Sequence, residues 1–151
     1  MLRLSKKTDY ALMAVRHLAE RPSPSTSARE IAEQYDIPLE LMAKVLQRLV
    51  RVGLLVSTQG TRGGYALGRA PAAISVADVI QAIDGPFGIT ACSPTEHNCD
   101  QYTKCSIRDP LWKIRERIAS TLQTVTIAEL AAAETADQAA APVAHAAVLR
   151  R

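Results

Sequence analysis

From Ser5 to Val52 the apolar positions recur every three to four residues in three separate runs, the period of helices that bury one side. In the first run, starting near Ser5 or Thr8, Tyr10, Ala14 and Leu18 form one stripe with Ala11 and Val15 beside it. Arg21-Pro22-Ser23-Pro24-Ser25-Thr26 breaks that helix. Ser27 and Glu30 then have the spacing of a capping box, each side chain satisfying the other residue's free backbone N–H. They open a short second helix through Ile31, Ala32 and Tyr35. After Asp36-Ile37-Pro38, with Pro38 suited to a first helical turn, a third helix runs to Val52, and Gly53 is placed to end it. Met42, Val45, Leu46 and Leu49 make its buried side, while Glu40, Lys44, Gln47, Arg48 and Arg51 share the other.

The period then changes. Leu54 to Thr58 and Tyr65 to Leu67 are short apolar stretches around Gln59-Gly60-Thr61-Arg62-Gly63-Gly64, which predicts a β-hairpin. A hairpin directly behind a helix-turn-helix is a wing. Residues 69–74 lead to a fourth helix, capped by Ser75 and Asp78, carrying Val76, Val79, Ile80 and Ile83, and stopped by Gly85-Pro86. Residues 86–108 are irregular. Asp109-Pro110 opens a long helix with Leu111, Ile114, Ile118, Leu122 and Val125 at near-heptad spacing, and Lys113, Arg115, Glu116 and Arg117 on its exposed side. One long amphipathic helix needs a second surface, and a second copy of the chain is the expected one. Thr126 and Glu129 form a further capping box for a terminal helix. The pattern predicts a mainly α fold in three parts. A winged helix-turn-helix DNA-binding domain occupies residues 1–70, a cysteine loop and long dimerisation helix 71–130, and a flexible alanine-rich tail 131–151.

Charge sharpens the division. Residues 1–70 hold 11 Lys/Arg against 6 Asp/Glu, a net of +5, whereas residues 71–151 hold 7 against 9, a net of −2. The basic part is the one patterned to meet phosphates. Lys44, Gln47, Arg48 and Arg51 can donate to base edges or phosphates, and Glu40 can accept from cytosine. No long apolar run and no cleavable leader is present at the start, so the chain is expected in the cytoplasm, where thiols stay reduced.

All three cysteines, Cys92, Cys99 and Cys105, fall within 14 residues of the irregular stretch. An odd number argues against a closed disulfide framework. Three thiolates in one loop with a fourth ligand from elsewhere suit an iron–sulfur cluster or a zinc ion, and a thiol–disulfide switch is a third possibility. His97 lies inside the loop and is one candidate for the fourth position. No paired acid/base groups and no nucleotide-binding glycine motif appear, so the chain is not expected to be an enzyme.

Three stretches carry a resemblance: Leu2-Arg3-Leu4-Ser5 with Thr8-Asp9-Tyr10-Ala11-Leu12; the wing from Gly60 to Gly63-Gly64-Tyr65-Ala66-Leu67; and the C-x6-C-x5-C loop. Over residues 1–130 the sequence resembles the IscR/NsrR (Rrf-two) family of dimeric winged-helix regulators that bind iron–sulfur clusters. Gly85-Pro86-Phe87-Gly88-Ile89-Thr90-Ala91-Cys92-Ser93 is most similar to regulators of SUF iron–sulfur assembly. The resemblance implies a homodimer, a pseudo-palindromic double-stranded operator, and a 2Fe–2S or 4Fe–4S cluster on Cys92, Cys99 and Cys105. Cluster status would control operator binding, with repression as the expected sign. IscR-like members take the fourth ligand from a histidine three places after the last cysteine, where this chain has Arg108. NsrR-like members take it from an aspartate of the partner subunit, and Asp9 stands at that position, ahead of His97. In the wing, Gln59 replaces an IscR-like arginine, which leaves Thr61 and Arg62 as tip contacts, with Lys6 and Lys7 expected on phosphates. A nitric-oxide or redox sensor on the same scaffold, and a zinc-stabilised DNA-binding or adaptor protein, are the alternatives.

Overall fold

The computed structural model describes residues 3–21, 24–90, 92 and 99–140. Helix α1 spans Lys6–Glu20, and Ser5 caps it by accepting from the Thr8 N–H at 3.2 Å. Helix α2, Ala28–Gln34, starts with both bonds of the Ser27–Glu30 capping box in place. It ends on Asp36, whose φ of 51° is left-handed, so that the Ile37 N–H reaches back to the Ala32 carbonyl at 2.9 Å. Helix α3 spans Leu39–Arg51. Pro38 stands at its cap and not in its first turn, accepting from the Leu41 and Met42 N–H groups through its carbonyl. Gly53, at φ 76°, closes α3: its N–H and that of Leu54 return to the Val50 and Leu49 carbonyls, both at 3.0 Å. A β-carbon is poorly tolerated at such a φ, so glycine is the residue this stop calls for.

Strands β1, Leu55–Thr58, and β2, Gly64–Leu67, pair antiparallel with Leu55 opposite Leu67 and Thr58 opposite Gly64. The wing has an additional partner. Thr26, in the segment read from sequence as a break, bridges Tyr65 with hydrogen bonds of 3.0 and 2.8 Å. Gly64 permits that approach, because a β-carbon there would lie 2.6 Å from the Thr26 carbonyl oxygen.

After a single 3-10 turn at Pro71–Ala73, helix α4 covers Val76–Asp84 under a Ser75–Asp78 capping box. Helix α5 is Arg108–Thr124 and α6 is Ile127–Ala140, the latter opened by the Thr126–Glu129 box. Val125, expected on the α5 stripe, lies beyond the helix in extended backbone. Long-range pairing overrides the helical period here. The Val76 N–H donates to the Val125 carbonyl and the Ile127 N–H to the Ile74 carbonyl, both at 2.9 Å, around a Ser75–Thr126 bridge.

The core forms one cluster. Ala11, Ala14, Val15 and Leu18 of α1 meet Ile31 of α2 and Met42, Leu46 and Leu49 of α3. Leu55, Ile74, Val79 and Ile127 join them, so α4 and the start of α6 close over the same centre. His17 is buried in this region with Tyr35 edge-on at 5.6 Å and its hydroxyl 3.2 Å from Nδ1. Helix α5 differs from its neighbours in having no buried residue, and Ile114 on its apolar stripe is 46% exposed. No helix among the described residues is long and apolar enough to cross a membrane.

Candidate DNA-reading surface and cysteine loop

Helix α3 turns by about 100° per residue. Burying Met42, Val45, Leu46 and Leu49 therefore points Glu40, Lys44, Gln47 and Arg51 directly outward, and all four are exposed. Arg48 lies about 70° to the side of that stripe on the same geometry. Its Nε donates to the Ala82 carbonyl of α4 at 2.9 Å. Gln59, Thr61 and Arg62 are exposed at the wing tip. A cleft of about 480 Å³ between α3, the wing and the start of α2 is lined by Gln47 and Arg51, with Gln59 and Thr58 opposite. The fold thus brings Gln47, Arg51 and Gln59 together from two elements.

Ser25, which the sequence did not single out, holds the wing tip by donating its hydroxyl to the Arg62 carbonyl at 2.9 Å. Lys6 and Lys7 are exposed in the first turn of α1, outside the cleft. That turn is fastened to α4. The Ser5 N–H and hydroxyl donate to the two Asp84 carboxylate oxygens at 3.1 and 2.5 Å. Partial burial pushes the Asp84 pKa up, but the Ser5 and Thr8 hydrogen bonds and nearby Lys7 outweigh it and hold the carboxyl below its usual range.

The cysteine loop runs from Gly85, at φ 85°, to the start of α5. Arg115 of α5 secures its first residues by donating Nε to the Phe87 carbonyl at 3.1 Å. Cys92 and Cys105 are half-buried, Cys99 is exposed, and all three thiols are free. The Thr90 hydroxyl donates to the Cys92 carbonyl at 2.9 Å, and the Tyr102 N–H to that of Cys99 at 3.0 Å. His97 lies outside the described residues. Asp9 is exposed on the first turn of α1.

The loop's far end is clamped by Arg108. The Arg108 guanidinium lies 4.6 Å above the Tyr102 ring and 5.4 Å from that of Trp112, in reach of both π faces. It also donates to the Tyr102 carbonyl at 3.0 Å and to Asp109 at 2.7 Å. The hydrogen bond to Asp109 outweighs partial desolvation and raises the Arg108 pKa above the usual arginine value. Trp112 was missed by the sequence reading, which saw only the aliphatic stripe of α5. Its indole N–H is buried and has no hydrogen-bond partner among the described residues.

Three free thiols are suitable chemistry for an iron–sulfur cluster, whose irons take soft thiolate ligands. Among the described residues no three donor side chains already converge on one point, so the fit rests on the donor chemistry.

A winged helix-turn-helix with an outward polar helix is the architecture of a DNA-binding transcription regulator. The family model described as an iron-dependent transcriptional regulator, Rrf2, matches residues 4–133, and the chain belongs to that family. It is a transcriptional regulator similar to IscR. The HTH-type transcriptional regulator IscR of Yersinia pseudotuberculosis serotype O:1b is 35% identical over 134 residues, covering 85% of this chain and 79% of that protein. IscR of Erwinia tasmaniensis is 36% identical over the same length. Among solved structures, CymR, the global cysteine regulator of B. subtilis, superposes with a TM-score of 0.74 at 28% identity, covering 88% of this chain and 98% of CymR. T. potens IscR gives 0.69 at 25% identity, with 93% of each chain covered. These relatives are transcription regulators.

Proposed function

We propose that the protein acts in the cytoplasm as a homodimeric repressor whose operator affinity is set by an iron–sulfur cluster held on Cys92, Cys99 and Cys105. The genes it controls are those of iron–sulfur cluster assembly. The observation that carries this reading is the loop itself: three free thiols on a segment that follows α4 and is fastened to α5 at both ends, at Phe87 by Arg115 and at Tyr102 by Arg108, in a chain of this family.

Asp9 of the partner subunit is the favoured fourth ligand, with His97 behind it. When bound, the group supplies a labile, redox-active cross-link between points of the loop. The protein's part is to hold both ends of that loop against its helices. The Leu111, Ile114, Ile118 and Leu122 stripe of α5, exposed or half-buried in the single chain, meets its counterpart in a second copy. Two-fold pairing of the reading heads suits a pseudo-palindromic double-stranded operator. Glu40, Lys44, Gln47 and Arg51 read base edges, the wing residues Gln59, Thr61 and Arg62 approach the minor groove, and Lys6 and Lys7 meet phosphates.

Iron and acid-labile sulfide per chain, measured on anaerobically purified protein, test the cofactor. Matching iron and sulfide are expected, and zinc without sulfide would overturn the cluster. Cys99 is exposed, which favours a second reading in which nitric oxide or oxidants are the physiological signal. Mapping the bound genomic sites distinguishes the two: sites beside cluster-assembly genes support the first, sites beside nitric-oxide detoxification genes the second.

A further inference from the structure

The last turn of α4 makes two cross-connections. The carbonyls of a helix's final turn lack partners within the helix and carry the negative end of its dipole. Arg48 supplies a cationic donor to one of them, the Ala82 oxygen. Two residues on, Asp84 returns the favour to another helix, since its carboxylate accepts from the Ser5 backbone N–H and hydroxyl at the positive end of α1. One turn of α4 thus holds the recognition helix by one bond and the α1 N-terminus by two. Gly85 to Phe87, the entrance to the cysteine loop, follow directly.

We propose that Arg48 is a positioning residue, which fixes the bearing of the recognition helix on the last turn of α4 and does not itself contact DNA. Resting on the cluster reading above, that turn is also the junction through which a change in the cysteine loop reaches the reading face. Loop movement that shifts residues 85–87 displaces the Ala82 carbonyl, and α3 is displaced with it.

Two substitutions separate positioning from direct contact. In Arg48→Gln the side-chain amide nitrogen lies the same number of bonds from Cα as the arginine Nε, so the donor to Ala82 survives without the charge. Arg48→Met keeps the length and removes both. The probe is a fluorescent duplex selected by the wild-type protein from a random-sequence pool, titrated by anisotropy at several salt concentrations with cluster-free protein.

Arg48→Met is expected to lose roughly tenfold in affinity with an unchanged salt slope, and Arg48→Gln to recover most of that loss. A phosphate contact would instead lower the salt slope by about 0.9 in both variants. Equal losses in the two with that shallower slope would overturn the proposal. The junction is read from the ratio of affinities with and without anaerobic iron and sulfide reconstitution. Arg48→Met is expected to bring this ratio towards one, and a variant that keeps the wild-type ratio would overturn the junction. A wild-type ratio of one would overturn the cluster reading and the junction together, while the cluster-free titrations still decide the role of Arg48.

Discussion

Replacing Gly64 with alanine would set a β-carbon 2.6 Å from the Thr26 carbonyl oxygen, 2.7 Å from its carbonyl carbon and 3.0 Å from the Ser27 nitrogen. All three are backbone atoms, so no side chain can rotate away. The bridge between Thr26 and Tyr65 has to open, and its two hydrogen bonds go with it. Those bonds contribute about 1 kcal/mol each, and the residual overpacking adds about 1–2 kcal/mol. Gly64 is not in the left-handed region, so alanine regains about 0.5 kcal/mol by restricting the unfolded chain. The net cost is about 2.5–3.5 kcal/mol, a fall in melting temperature of roughly 5–14 °C. Urea denaturation followed by circular dichroism measures it. The wing would also part from the segment before α2, so affinity for a selected duplex should fall by more than at a Gly88→Ala control, outside the wing, where the nearest neighbour of a β-carbon is the Thr90 carbonyl oxygen at 4.0 Å. A Gly64→Ala stability loss below about 0.5 kcal/mol would refute the idea that the Thr26–Tyr65 approach holds the wing.

Three further outcomes follow from single positions. Ile114→Glu places a charge on the exposed stripe of α5; light scattering should report monomer in place of dimer, and because α5 buries no residue in the single chain, thermal unfolding of that monomer should remain cooperative. Burial of His17, helped by Arg21, pushes its pKa below the usual 6.5, so the folded state resists a proton the unfolded chain accepts. Stability should therefore be intact above about pH 6.5 and decline as pH falls below it, and His17→Gln should flatten that slope in denaturation curves taken from pH 7.5 to 5. Asp36 holds a left-handed φ that favours glycine, so Asp36→Gly should stabilise by up to about 1 kcal/mol and Asp36→Val destabilise by about 1–2 kcal/mol in the same assay.

The element order was legible because its signals are local. Each capping box at Ser27, Ser75 and Thr126 closes within three residues, and each buried stripe repeats within a helix, so the sequence by itself determined where helices start, which sides they bury, and where the wing turns. Gathering three cysteines in one stretch also declares a thiol site without reference to the fold. Single-residue errors at Pro38 and Val125 arose where a cap or a bridge competed with periodicity.

What only the tertiary structure decided are contacts between segments far apart in the chain. Arg48 shares the polar composition of its helix neighbours, and nothing in its local pattern says that its Nε belongs to Ala82, 34 residues away. Thr26 reads as part of a proline-broken turn until Tyr65 comes alongside it. Ser5 meets Asp84 across 79 residues, a pairing in which neither side chain is distinctive alone. Periodicity and capping report the free energy of one turn of chain, whereas these bonds form when remote backbones are brought into register by burial of a shared core, and that register is a property of the whole fold.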